Sequence, residues 1–463
     1  MHDLVIRGGR VVDYATGTDA VADVAIDGGK VVAVEPSINC RSAREINAEG
    51  HLVMPGLVDL HVHLSKEFGG AAGHAMLARA GVTTALDLGT LGAENVRAIA
   101  DTAGAGLTLG CVVRLMPDVH VPQTPTRAEV RRALIREIGD GALGVKIHID
   151  AGWTIESAAL IADVANELNA WTAIHCGTSG TASNLAGLEE AIQYLDGKPA
   201  HLAHINSYCR GDLGAPESEA AQAIQMLRSA PKLFSESYLS EWNGNFAECA
   251  NGVPVVARVS GWLVAGGFAG TQAGLREAIM VGYAAIPVPT SDDMVLTSGE
   301  EGVAAWEDAG TKTALCLPLN PAGSRLPLAW SKDEDGAFDV SAIATDGGAI
   351  PRNVTVSAGL HLVELGALSL PDLVRKASWT PAQTLGLPQK GSIAPGCDAD
   401  ICVVEMGAHR VAATVASGRV VFDGRTVSRK PVTHLRHQDS HQRRGDLPVD
   451  IGSSGLFTGA GRR

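Results

Sequence analysis

Aromatic residues make up only 4% of the 463-residue chain, which disfavours the stacking platforms on which single-stranded nucleic acids bind. A long basic stripe is also missing. Lys+Arg total 37 against Asp+Glu 51, a net charge of −14, so the chain is a poor nucleic-acid binder. No apolar run reaches the roughly 18 residues of a membrane span. The N-terminal MHDLVIRGGRVVD alternates like a strand and lacks the apolar core of a signal peptide. The eight cysteines are scattered, and the nearest two, Cys397 and Cys402, do not form a CxxC. That pattern excludes a disulfide framework and a cysteine zinc site, and it predicts a soluble cytoplasmic protein with reduced thiols. No GxxxxGK[ST] phosphate loop occurs. Hydrophobic residues, at 46%, are ample for a large core and exclude disorder for the bulk.

The two ends of the chain share one character. Residues 3–35 read as short β elements, with Asp27-Gly28-Gly29 as a hairpin turn, and residues 391–423 look much the same. The pattern predicts that residues 1–53 and 388–430 pair into one small β-sandwich domain, leaving 54–387 as an insertion between them. Within that middle segment, LVDLHVH, GVTTALDLG, LTLGCVVRL, ALGVKIHI, WTAIHC, PAHLAHI, PKLFSESYL and SAIATD are short apolar runs. Helix-like stretches such as TRAEVRRALIREIG separate most of them. Eight such βα units predict an α/β fold, a (β/α)8 TIM barrel. Residues 238–339, rich in Gly, Pro and Trp, break the rhythm and predict an insertion over the barrel mouth. Residues 431–463 lose all periodicity and are read as a polar tail.

The chemistry concentrates at predicted strand ends. In His61-Val62-His63 the two imidazoles point to the same side of a strand, as a metal site needs. His175 ends WTAIHC, His204 lies in AHLAHI with His201 three residues earlier, and Asp346 ends SAIATD. All C-terminal strand ends of a barrel meet at one mouth, so these residues would hold one or two hard-to-borderline cations there. Lys146, in GVKIHI, sits in an apolar setting that depresses an amine's pKa. A neutral lysine amine reacts with carbon dioxide to give a carbamate, a bridging anionic ligand. On residue type alone, a lysine that snorkels or pairs with an acid explains it more simply.

PGLVDLHVHL, AIHC, AHLAHI, AIATD and the closing GSIAPGCDADICVVE resemble the amidohydrolase superfamily over roughly residues 3–425. The order of the motifs resembles its binuclear, carboxylated-lysine branch, which includes hydantoinases, dihydropyrimidinases and dihydroorotases. The resemblance implies two divalent metals, zinc first and manganese, cobalt or nickel as alternatives. It implies that His61, His63, Lys146, His175, His204 and Asp346 hold them, with Lys146 carboxylated by carbon dioxide; His201 has no counterpart. Two departures stand out. The hydantoinase-type tyrosine after the lysine is replaced by His148-Ile149-Asp150-Ala151-Gly152-Trp153, and the loop from Leu64 to Gly73 is short. The stretch from Thr345 to Leu387 is also similar to N-acyl-D-amino-acid deacylases, which use a Cys or Glu ligand. Cys111 would have to serve in that role, and Lys146 explains the pattern more simply.

The expected reaction is metal-dependent hydrolysis of a C–N bond in a small molecule, with ring opening of a cyclic amide or imide first. Asp346 would shuttle the proton, His148 or a backbone amide would hold the oxyanion, and Arg352 would bind a substrate carboxylate. A solvated loop charge accounts for Arg352 equally well. Deacylation of an N-acyl amino acid is the second reading. A deaminase is third, weakened because no acid follows His204 until Asp212. A non-catalytic scaffold is the reading from another class, and the presence of every expected ligand argues against it. The resemblance also implies a homo-oligomer, dimer or tetramer.

Overall fold

The computed structural model describes residues 1–66, 70–291, 293–441 and 445–461; residues 67–69 of the short loop after His63, and parts of the last 33 residues, lie outside these. Eight parallel strands form the barrel: β1 (Leu57–His63), β2 (Val82–Thr90), β3 (Thr108–Arg114), β4 (Gly144–Ile147), β5 (Trp171–Ile174), β6 (Ala200–Leu202), β7 (Leu233–Tyr238) and β8 (Ala342–Ala344). They pair in sequence order from β1 to β8. The last strand closes the ring in two pieces. Ala342–Ala344 pairs with β7, and Gly347-Gly348 pairs with Val62 and His63 of β1. Gly348 has φ +74°, and a Cβ there would lie 2.8 Å from the His63 carbonyl oxygen, so the closure requires glycine. Between the strands lie the expected helices. One example is Arg127–Gly139, whose Thr126 and Glu129 form a reciprocal capping box.

The terminal segments build one further sheet of eight strands, five from His2–Pro55 and three from Ile401–Phe422. It is a continuous sheet, branched at His2–Asp13, which pairs with three neighbours. Its two arms close over a shared core that includes Ile6, Val24, Val53, Ile401 and Val415. The segment after β7 forms a compact unit with a separate core around Val259, Leu263, Leu275, Ile279 and Trp306. Its strand Asn243–Phe246 pairs with Ala314–Leu317.

The tail differs from its reading as a polar appendage. Strand β4 pairs with Val112–Arg114 only, which leaves the N-terminal half of β3 open on that side. The strand Thr433–His437 takes this edge, pairing with Thr108 and Leu109. Leu435, Val449, Ile451 and Leu456 join the core of Val58, Leu86, Val112 and Trp171, and Arg97 pairs with Asp446 at 2.7 Å. Four widely spaced apolar residues suffice here because the barrel supplies the remaining core, so no periodicity marks the segment. No described helix is long and apolar enough to cross a membrane.

Candidate metal centre

The C-terminal ends of β1, β4, β5, β6 and β8 bring the histidines, the lysine and the aspartate together. His61 and His63 leave β1 with ring centroids 5.2 Å apart. His63 Nε2 lies 2.9 Å from Asp346 Oδ1, and His61 Nε2 lies 3.3 Å from the same oxygen. Donor atoms of these three residues all fall within 4.8 Å of one another. Lys146 Nζ stands 3.2 Å from His61 Nε2 and donates to the Leu88 carbonyl at 2.7 Å. The His204 ring stacks on His61 at 5.1 Å and meets His175 edge-on at 4.5 Å. His148 lies beside His175, with centroids 4.2 Å apart. Its Nδ1 accepts the Asp150 backbone N–H at 3.1 Å, which leaves Nε2 as the protonated nitrogen. His201 is buried behind this set, with Nε2 3.6 Å from Glu236 Oε1.

Burial sets the charge states. It pushes His63 down to about 4 and His204 to about 3, and it lowers His61, His148 and His175 well below the usual imidazole range. Neutral imidazoles keep a lone pair for a metal. Burial lowers the Lys146 amine to about 8. Burial also works to raise Asp346, but Arg352, His61 and His63 outweigh it and hold the carboxyl well below its ordinary value. His175 and His204 each bury an Nδ1 with no hydrogen-bond partner among the described residues. Orphaned ring nitrogens at the centre of a buried set of neutral imidazoles with one carboxylate fit divalent ions. His204 and Asp346 both hold left-handed backbone, at φ 38° and 50°, a strain that clusters at functional sites.

Several residues of the site escaped the sequence reading. Glu236 on β7, fully buried, accepts from His61 Nδ1 at 2.7 Å and from the His204 N–H at 2.8 Å; burial raises its carboxyl well above the ordinary range. A lone acid inside the apolar run PKLFSESYL was the available signal. Arg352 is where the sequence places it, past Asp346, but its guanidinium is occupied. It pairs with Asp346 Oδ2 at 2.8 Å, donates through Nε to the Asp346 carbonyl, and reaches the Tyr238 hydroxyl at 3.4 Å. At 3% exposure it is not a solvated loop charge. Trp153 is buried away from the site, whereas Trp262 of the insertion lines it. Cys111 is buried, and burial pushes its thiol up out of thiolate range.

Above the cluster opens a cavity of about 380 Å³, bounded by His63, Lys146, His148 and Asp346 below and by Asn243 and Arg258 of the insertion above. That is the size of a small-molecule site. Arg258 ties the insertion to the barrel through Asp150 at 2.6 Å.

Comparison with known proteins agrees with this architecture. A dihydroorotase from Syntrophus aciditrophicus (strain SB) is 25% identical over 441 residues, covering 87% of this chain and 90% of that protein. Among solved structures, an N-acyl-D-glutamate deacylase from Bordetella bronchiseptica, complexed with zinc and a phosphonate inhibitor, superimposes with a TM-score of 0.67. It is 15% identical and covers 94% of this chain and 100% of that one. A D-hydantoinase gives a TM-score of 0.57 at 17% identity, covering 94% of this chain and 98% of that one. The amidohydrolase family model matches residues 52–222 and 305–425, that is, the barrel apart from β7, together with the returning sheet and without most of the insertion. The chain belongs to the amidohydrolase family, hydrolases of carbon–nitrogen bonds.

Proposed function

We propose that the chain opens a cyclic amide or imide by hydrolysis, with two divalent ions held by His61, His63, Lys146, His175, His204 and Asp346. The observation that carries this reading is the convergence of those six side chains under one small-molecule cavity. Dihydroorotase and hydantoinase relatives, whose substrates are cyclic amides, support the ring-opening form. Zinc accompanies the structurally similar deacylase; manganese, cobalt and nickel suit the same donors. When bound, such ions lower the pKa of water and polarise a carbonyl.

The protein's own residues supply the rest. Asp346, held ionised by Arg352, accepts the proton from the attacking water and passes it to the leaving nitrogen. His148 presents Nε2–H to the cavity, where it stabilises the oxyanion in place of the hydantoinase-type tyrosine. Lys146, whose amine burial makes easier to deprotonate, takes up carbon dioxide as a carbamate. Arg114, which stands directly opposite Lys146 in the register of β3 and β4, makes no side-chain hydrogen bond or ion pair among the described residues. Its free charge balances that carbamate. The proposal includes a cytoplasmic homo-oligomer.

The test is a hydrolysis panel on zinc- or manganese-loaded protein with bicarbonate. Hydantoins, dihydropyrimidines, lactams and imides are set beside N-acyl amino acids, with acid and ammonia both measured. Ring opening without ammonia is the expected result. Turnover confined to N-acyl amino acids would replace the proposal with the deacylase reading, and ammonia release would point to a deaminase.

A further inference from the structure

The cavity is electropositive in an otherwise acidic chain, and one of its cations stands apart. Arg258 is paired with Asp150, and Arg352 with Asp346. Arg114 has no acceptor but neighbours Lys146. Arg210, half-buried after β6 and lining the cavity, is held entirely by neutral groups. Its Nε donates to Asn320 Oδ1 at 3.2 Å. Its Nη2 donates to Asn243 Oδ1 at 2.8 Å, to Ser207 Oγ at 3.0 Å and, at 3.5 Å, to the Tyr238 hydroxyl. Asp212, two residues on, is exposed; it attracts the guanidinium at longer range but makes no close ion pair with it. The remaining amine, Nη1, has no partner among the described residues. The scaffold that holds Arg210 spans three parts of the fold: Ser207 after β6, Tyr238 at the end of β7, and Asn243 and Asn320 of the insertion.

A guanidinium fixed on three sides by neutral groups, with no carboxylate in contact, is a preorganised anion site, because its charge is oriented but not paired. Amide and hydroxyl oxygens orient the group without consuming its charge. A neutral ring substrate gives no reason for that arrangement. We infer that Arg210 binds an acidic substituent, a carboxylate or an equivalent oxyanion, carried by the substrate of this site, and that the insertion sets this specificity through Asn243. The inference rests on the hydrolase reading for the word substrate, and its test does not depend on turnover.

The test uses two ligands identical except in charge, 5-carboxymethylhydantoin and its carboxamide, titrated calorimetrically into the full-length protein. Four proteins are measured: wild type, Arg210→Gln, Asn243→Asp and Arg114→Gln. In wild type the acid is expected to bind roughly 10- to 100-fold more tightly than the amide, the range of a charge-assisted pair. Arg210→Gln should remove that preference while leaving amide binding within about threefold. Asn243→Asp, which supplies Arg210 with a permanent counter-ion and keeps the acceptor oxygen, should do the same without deleting the arginine. It therefore guards against loss of fold in the first variant. No preference for the acid in wild type, including failure of both ligands to bind, overturns the inference. So does a preference that survives both variants, or one lost only in Arg114→Gln. Acid-selective binding with no hydrolysis anywhere in the panel would leave the anion site standing and sink the hydrolase proposal. Hydrolysis of the two ligands with equal affinity would do the reverse.

Discussion

Replacing Glu236 separates a metal centre from a fortuitous gathering of histidines. The Oε1 atom of this fully buried carboxyl accepts from His61 Nδ1–H and from the His204 backbone N–H. The first bond fixes the His61 tautomer and leaves its Nε2 lone pair facing Asp346 and Lys146. Glu236→Ala would strand two buried donors at about 1–3 kcal/mol each and add a cavity, so loss of fold would obscure loss of metal. Glu236→Gln keeps an acceptor oxygen at nearly the same volume and should cost no more than about 1–2 kcal/mol of stability. It removes the carboxylate that raises the basicity of His61. Outer-shell changes of this kind weaken metal affinity by roughly 10- to 100-fold. Zinc affinity measured near neutral pH by competition with a chromophoric chelator should therefore fall by that factor, while the melting temperature of the metal-free protein moves by only a few degrees. The sign with pH follows from burial, which raises the Glu236 pKa. A cation on His61 favours the ionised carboxylate, so wild-type affinity rises as pH increases through that pKa, and Glu236→Gln should flatten this part of the rise. A Gln variant that binds zinc as tightly as wild type, with an unchanged pH dependence, would refute the role.

Three other changes test separate parts of the argument. Lys146→Ala should lose metal, and short carboxylic acids should restore part of it by replacing the carbamate; full metal content without added acid would remove the bridging role. In wild type, carbamate formation needs the neutral amine, so bicarbonate-dependent metal loading should quicken as pH rises through about 8 and level off above it. Arg352→Gln removes the main charge that holds Asp346 low, so the acid limb of kcat/KM should move to higher pH; an unmoved limb would show that Arg352 does not set the Asp346 pKa. A chain ending at residue 430 exposes the β3 edge and loses Leu435, Val449, Ile451 and Leu456 from the core. At about 1.5–3 kcal/mol per buried apolar side chain, it is expected to be insoluble or to melt far below wild type. A soluble product with the wild-type melting temperature would show the tail to be dispensable.

The insertion and the barrel divide the work in a way that the charge distribution makes plain. Under the cavity burial keeps the imidazoles of His61, His63, His148, His175 and His204 neutral, so among the described residues Asp346 is the carboxylate held firmly ionised beside the donor set at neutral pH. Arg352 already occupies one of its oxygens. Two divalent ions at this site would therefore be under-compensated. A carbamate on Lys146 is one way to add negative charge, and ionisation of Glu236 behind His61 is another. Both raise the negative charge of the donor set as pH increases, which is why metal loading rather than turnover alone should carry the pH signature. With both ions bound, excess positive potential would reach the cavity and would draw an acidic substrate more strongly than a neutral one.

How much of this was legible depends on whether a residue's role is local or pairwise. The HxH of β1 was readable because strand geometry alone puts His61 and His63 on one side. The eight βα units follow from short apolar runs alternating with amphipathic helices, and the order of strands around the ring follows from them. Lys146 stood out because a cation in GVKIHI contradicts its own surroundings. Glu236 contradicts PKLFSESYL just as plainly, but its partner is 175 residues away, and no spacing along the chain announces that pairing. The tail was misread because its four core residues are scattered among polar ones and fill a gap created by the shortness of β4. The arginines make the point most sharply. Arg352 follows Asp346 in sequence and so reads as the anion binder, yet proximity is what uses up its charge on Asp346. Arg210 sits in an unremarkable turn, and its charge survives because the four side chains that hold it, from three separate parts of the fold, are all neutral. A free charge is a property of the whole neighbourhood, so a candidate for substrate selection is read from the folded chain, whereas the candidate metal donors can be read from strand ends.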